Sequence, residues 1–189
     1  MLTSQSEKKR IDSDYYIEGY ATTFDPYILY HDYDGSEVYE RINKTAFNGA
    51  KMDDVIFQFD HEGIPYARMS NNTLGIEVND NGLFMWADLG TTARGKELYE
   101  QISAGLITKM SWAFTVAPDG ESYDELTKTI NINQVREVFD VSAVSIPAND
   151  QTSISARSKE LIEACKHKYE LEERKKKKLN LMLKLGGQN

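Results

Sequence analysis

A chain of 189 residues with 40% hydrophobic and 28% charged residues fits one domain with appendages better than two full domains. Its net charge of −8 argues against general nucleic-acid binding, and no apolar run approaches the roughly 20 residues of a membrane-spanning helix. The charge is uneven: from Arg157 on, ten Lys/Arg stand against five Asp/Glu, so a basic tail of +5 follows a body of −13.

In chain order, Met1–Asp14 is polar, without the apolar core of a secretory signal, and is expected to be mobile. Tyr15–Thr22 is aromatic and β-branched and predicts a first strand. Asp25–Gly35, with Pro26, Asp32, Asp34 and Gly35, predicts a loop; Glu37–Ile42 a short strand; Asn43–Lys51 a short helix or turn. In Asp54–His61 the residues Val55, Phe57 and Phe59 share one face of a strand that ends at His61. Leu74–Val78 and Leu83–Ala87 flank Asn79-Asp80-Asn81-Gly82, a strong hairpin signal. Thr91–Ala104 predicts a helix stopped by Gly105.

The next strand is Lys109–Val116. Its alternation turns Met110, Trp112, Phe114 and Val116 toward a core and leaves Ser111 on the opposite, open side. Pro118–Tyr123 predicts a break, Lys128–Asn133 and Gln134–Ile146 two more strands, and the stretch from Ser158 a long basic helix. The boundaries that follow are a flexible segment 1–14, a body 15–156 and a helical tail 157–189. The body is mainly β with inserted helices (α+β), as a barrel or sandwich. Cys165 is the single cysteine, which excludes an internal disulfide and points to a reducing, cytoplasmic setting.

A serine hydroxyl becomes a nucleophile when a base takes its proton and a third group orients that base. Ser111 on a rigid strand is the candidate nucleophile. Of three histidines, His167 lies among tail lysines, His31 in a loop, and His61 at a strand end where it can be fixed and still face a cleft. The candidate acids are Asp140 and Glu137. Strict alternation puts Asp140 on one face with Arg136, Val138 and Ser142, and Glu137 on the other with Phe139 and Val141. An acid in so apolar a run needs a partner: Arg136 is the ordinary choice and His61 the functional one. No Gly-x-Ser-x-Gly surrounds Ser111, no His-Glu-x-x-His offers zinc ligands, and Asp32–Gly35 lacks the spacing of a calcium loop. A metal site built on His31, Asp32 and His61 is the rival constellation.

Six motifs in order resemble one family, the prohead (capsid maturation) serine proteases of tailed phages of the HK97-like type. They are Gly19-Tyr20-Ala21; Glu40-Arg41-Ile42-Asn43-Lys44-Thr45-Ala46-Phe47, with Thr45 in place of a glycine; Asp60-His61-Glu62 with Pro65 and Arg68; the Gly82-Leu83 hairpin; Gly105 followed by Met110-Ser111-Trp112-Ala113-Phe114, with Ala113 where glycine is frequent; and Asp140-Val141-Ser142-Ala143-Val144-Ser145-Ile146-Pro147-Ala148-Asn149. The resemblance covers about Ile17–Ser153. It implies a herpesvirus-assemblin-like β-barrel and a catalytic set of His61, Ser111 and Asp140 without cofactor or metal. It also implies capsid-protein precursor and scaffold protein or delta domain as substrates inside the assembling procapsid, with self-cleavage and a homo-oligomer as further expectations. The rival of a different class is a non-enzymatic scaffold or capsid-assembly module of the same fold.

Overall fold

In the computed structural model, residues 10–145 are described. Residues 1–9 of the segment expected to be mobile, the expected tail helix, Cys165 and His167 lie outside the described residues. The strands are β1 (Tyr16–Thr23), β2 (Tyr27–His31), β3 (Glu37–Ile42), β4 (Ile56–Phe59), β5 (Glu62–Arg68), β6 (Leu74–Val78), β7 (Gly82–Asp88), β8 (Lys109–Val116), β9 (Glu121–Asp124), β10 (Thr129–Ile132) and β11 (Val135–Val144). Among the described residues one α-helix, α1 (Ala93–Ser103), joins β7 to β8. Their pairing gives three sheets, β1-β7-β6, β2-β3-β10-β9 and β5-β4-β11-β8. The mainly-β class is as expected; among the described residues no sheet closes on itself into a barrel.

The local signals that are strongest in the sequence give the elements expected of them. β6 and β7 pair antiparallel around Asn79–Gly82, with the Asn79 amide donating to the Gly82 carbonyl. Gly82 takes φ 155°, and a Cβ there would stand 2.1 Å from the Thr22 carbonyl oxygen, so glycine is required by the approach of β1. Thr92 caps α1 through its hydroxyl, which accepts from the Gly95 amide, and Gly105 ends the helical segment at φ 74°. Asn43–Ala50 is a series of turns rather than a helix. It buries Ala46 and Phe47, and the Phe47 ring lies 5.4 Å from that of Trp112.

Three strands were not expected, and each is short, polar or at an edge. β2 lies inside the stretch read as a loop: Pro26 and Asp32–Gly35 punctuate its two ends, while Tyr27–Tyr30 pair with β3. β5 carries Gly63 and Pro65, which an edge strand tolerates because one side of its backbone needs no ladder partner. β9 is an exposed four-residue edge. At the amino end, Arg10 and Ser13 fall in the segment expected to be mobile, yet both are tied down. Ser13 Oγ donates to Asp88 Oδ1 at 2.5 Å. The Arg10 guanidinium lies 4.6 Å from the Trp86 ring and pairs with Glu77.

Sheet β2-β3-β10-β9 hides an acid. Glu40 is 2% exposed, accepts from the Tyr27 hydroxyl, and is pushed up to about 7, chiefly by burial. A carboxyl raised in the fold binds its proton more tightly there than in the unfolded chain. Its stabilising contribution is therefore full below the ordinary carboxylate value and is lost as pH rises through about 7. We expect urea unfolding to lose about 3 kcal/mol from this group between pH 4.5 and pH 8. In Glu40→Gln that part of the slope should vanish. Equal slopes for the two proteins would show that Glu40 is not the titrating group.

Candidate active site

The site is built on β8 and β11 and on the turn that follows β4. β8 behaves as its sequence requires on the apolar side: Trp112, Phe114 and Val116 are buried, and the Trp112 and Phe114 rings stack at 3.9 Å. The other side is not open. Ser111 is only 5% exposed. Its face of the sheet also carries side chains of β11, and the turn holding His61 bonds to that face.

β11 departs from simple alternation at two places, and those departures place the acid. Opposite β8 its partners run Val135–Val116, Glu137–Thr115, Val138–Phe114, Asp140–Ala113, Val141–Trp112 and Ser142–Ser111. Arg136 and Phe139 are the extra residues of two bulges, and both side chains are exposed. Each bulge resets the phase of the strand. Val135, Val138 and Val141 thus join Val116, Phe114 and Trp112 on the core side. Glu137, Asp140 and Ser142 share the other side with Thr115, Ala113 and Ser111. This corrects the expected grouping of Asp140 with Arg136 and Val138, which ignored the extra residues.

The two candidate acids have different partners. Lys51 Nζ lies 2.9 Å from Glu137 Oε1, and Lys51 also exchanges backbone hydrogen bonds with Arg136 and Val138. Asp140, 6% exposed, is hydrogen-bonded to His61, with Nδ1 2.8 Å from Oδ1. Ser142, fully buried, donates from Oγ to the same Oδ1 at 2.6 Å. The ordinary partner considered for Asp140, Arg136, points to solvent on a bulge.

His61 reaches Asp140 because of the turn it occupies. Phe59 and Glu62 pair across a two-residue connection, and both central residues have positive φ, 51° at Asp60 and 58° at His61. Such a turn matches the twist of the two strands but strains residues that carry a Cβ, so other contacts must hold it. Asp60 supplies them. Its amide donates to the Ala143 carbonyl, and its carboxylate accepts from the Ser145 amide at 2.7 Å and the Ser145 hydroxyl at 2.8 Å. The residue before His61 thus fastens the turn to β11 and to Ser145 just after it. Arg68 closes the other end of the β4–β5 hairpin with a two-pronged ion pair to Asp54, whose carboxyl it holds down at about 2.

The hydrogen bonds fix the imidazole's chemistry. A carboxylate oxygen only accepts, so Nδ1 is the donor, and in the neutral imidazole the lone pair is left on Nε2. Nε2 is buried and has no hydrogen-bond partner among the described residues. Ser111 lies one strand over, directly opposite Ser142, and side chains of such a pair stand about 5 Å apart at Cβ. The structure therefore brings Asp140, His61 and Ser142 into one bonded chain that ends beside Ser111. Ser142 carried no role in the sequence reading; its place two residues after Asp140 on one strand was the available signal.

His31 sits in a different sheet, at the end of β2, with Nε2 4.0 Å from Glu37 Oε1. The described residues bring no three metal-type side chains together. Neither Thr45 nor Ala113 takes a positive φ, so the two positions where glycine was expected tolerate a side chain. No helix among the described residues is long and apolar enough to cross a membrane.

No curated protein and no solved structure matches the chain. The model of one family, the caudovirus prohead serine proteases, matches residues 3–168, a span that takes in β1 to β11 together with His61, Ser111 and Asp140. On that match the chain belongs to the caudovirus prohead serine protease family.

Proposed function

We propose that this family member is an active endopeptidase in which Ser111 is the nucleophile, His61 the general base and Asp140 the orienting acid. The observation that carries the reading is the His61–Asp140 hydrogen bond at 2.8 Å, which leaves the Nε2 lone pair on the ring edge available as a base. In the reaction Ser111 Oγ attacks the scissile carbonyl carbon while Nε2 takes its proton. The tetrahedral intermediate then collapses, the C–N bond breaks, and the imidazolium returns the proton to the leaving amine. Water repeats the sequence on the acyl-enzyme. Asp140 stays ionised throughout and stabilises the imidazolium. The Ser111 hydroxyl and Nε2 come within the 2.6–3.2 Å of direct transfer when a substrate occupies the site, as catalytic hydrogen bonds often tighten only in the complex.

The substrates in this reading are segments of the capsid-protein precursor and of a scaffold protein or delta domain. They are cut inside the assembling procapsid in the host cytoplasm, and the enzyme cleaves itself as well. An assemblin-like arrangement of the sheets, a basic tail helix that docks on an acidic scaffold, and a homo-oligomer belong to the same proposal. Co-expression of the full chain with the capsid precursor, followed by mass spectrometry of the new termini, tests it. Fragments that need Ser111 support the endopeptidase, and intact precursor in every case supports the non-enzymatic assembly module.

A further inference from the structure

Ser142 lies wholly inside the protein on β11, between β4 and β8, with Gln58 as its parallel neighbour and Ser111 as its antiparallel one. A buried hydroxyl is unfavourable unless its proton finds an acceptor, and here the acceptor is Asp140 Oδ1 at 2.6 Å. That oxygen is also the one that binds His61 Nδ1. We propose that Ser142 is a positioning residue for the reaction, acting through Asp140. Its hydroxyl holds the carboxylate in the rotamer that meets the imidazole, and it shares the charge that the imidazole would otherwise meet alone.

Two physical features support this beyond the bond itself. Asp140 follows a bulge, where the ladder is locally broken and the backbone alone fixes the side chain less firmly. A second donor on Oδ1 restores that control. Ser142 also has only one proton to give. Since it goes to Asp140, the hydroxyl offers Ser111, across the strand pair, nothing but lone pairs. Ser142 therefore does not compete for the Nε2 lone pair. Its partner Asp140 lies two residues away on the same side of β11, the spacing that a strand's pleat makes adjacent.

This inference rests on the reading of His61 as the base, so its test needs a readout that does not depend on turnover. We would compare wild type, Ser142→Ala and Ser142→Cys as full chains. The first measurement is the low-field proton resonance of the His61 Nδ1–H, assigned with ring-labelled histidine and with His61→Ala as the blank. The second is kcat and KM on the capsid precursor. The expected results are a displaced or exchange-broadened resonance in Ser142→Ala and a kcat lower by roughly 10- to 100-fold at unchanged KM, by analogy with the loss of an outer group that orients a metal-binding histidine. Ser142→Cys, whose thiol is a weak donor, falls between.

A resonance that stays where it was in Ser142→Ala overturns the proposal, whatever happens to the rate. So does a Ser142→Ala enzyme with wild-type kcat. If instead no protein, wild type included, cleaves the precursor while the resonance still moves in Ser142→Ala, the positioning contact stands and it is the endopeptidase reading that fails.

Discussion

Ser111→Ala should abolish processing: kcat on the capsid precursor falls by roughly 10⁶, the scale at which removing the nucleophile of a serine triad leaves only binding and polarisation. The size of the effect follows from the absence of a substitute. Ser142 is the nearest hydroxyl in the register, but its proton is committed to Asp140 and its side chain is fully buried. Thr115 is four pairs further along the strand. The fold should not suffer, because β8 is anchored on its other side by the stacked Trp112 and Phe114 and by Phe47 behind them. Circular dichroism and unfolding of the variant should therefore match wild type while the gel shows only uncut precursor. The same fragments from Ser111→Ala as from wild type would remove Ser111 from the mechanism.

Asp140→Asn should cost about 10⁴ in kcat with KM little changed, through the tautomer rather than the fold. The carboxylate accepts from Nδ1, which keeps the proton there and the lone pair on Nε2. A carboxamide can turn its NH₂ toward the ring, and the imidazole then puts its proton on Nε2, where it cannot take another from Ser111. Glu137→Gln is the control. That acid is held by Lys51 and does not reach the imidazole, so the substitution should leave kcat within a few-fold. A pre-steady-state measurement of the acylation step checks both. If Glu137→Gln were the damaging change and Asp140→Asn the harmless one, the assignment of the acid would be reversed.

The members of the candidate site were legible in the sequence to the extent that they are single residues in order. His61 at a strand end, Ser111 backed by two aromatics and an acid in an apolar strand were each readable, and the family motifs linked them. What periodicity could not supply was phase. The bulges at Arg136 and Phe139 reset β11 so that Asp140 and Ser142 face Ser111, and a bulge adds a residue without leaving a mark in the hydrophobic pattern. The same limit hid the covering of Ser111. Which turn folds onto a strand face is decided by long-range contacts, here Asp60 with Ser145 and His61 with Asp140. The unexpected strands β2, β5 and β9 have a common cause, since edge strands with one buried side at most need neither long apolar runs nor the exclusion of proline. Where a local rule acts alone, as at the Asn79–Gly82 turn and the Thr92 cap, sequence and structure agree.

The most direct test of the central claim, a serine made nucleophilic by His61, is covalent labelling with a fluorophosphonate, because the reagent reports activated serine without any knowledge of the natural cleavage site. Full-length wild type should acquire one label, and peptide mapping should place it on Ser111. Labelling should be lost in His61→Ala and strongly slowed in Asp140→Asn, while Glu137→Gln reacts like wild type. A label on another residue, or equal labelling of Ser111 with and without His61, would contradict the account.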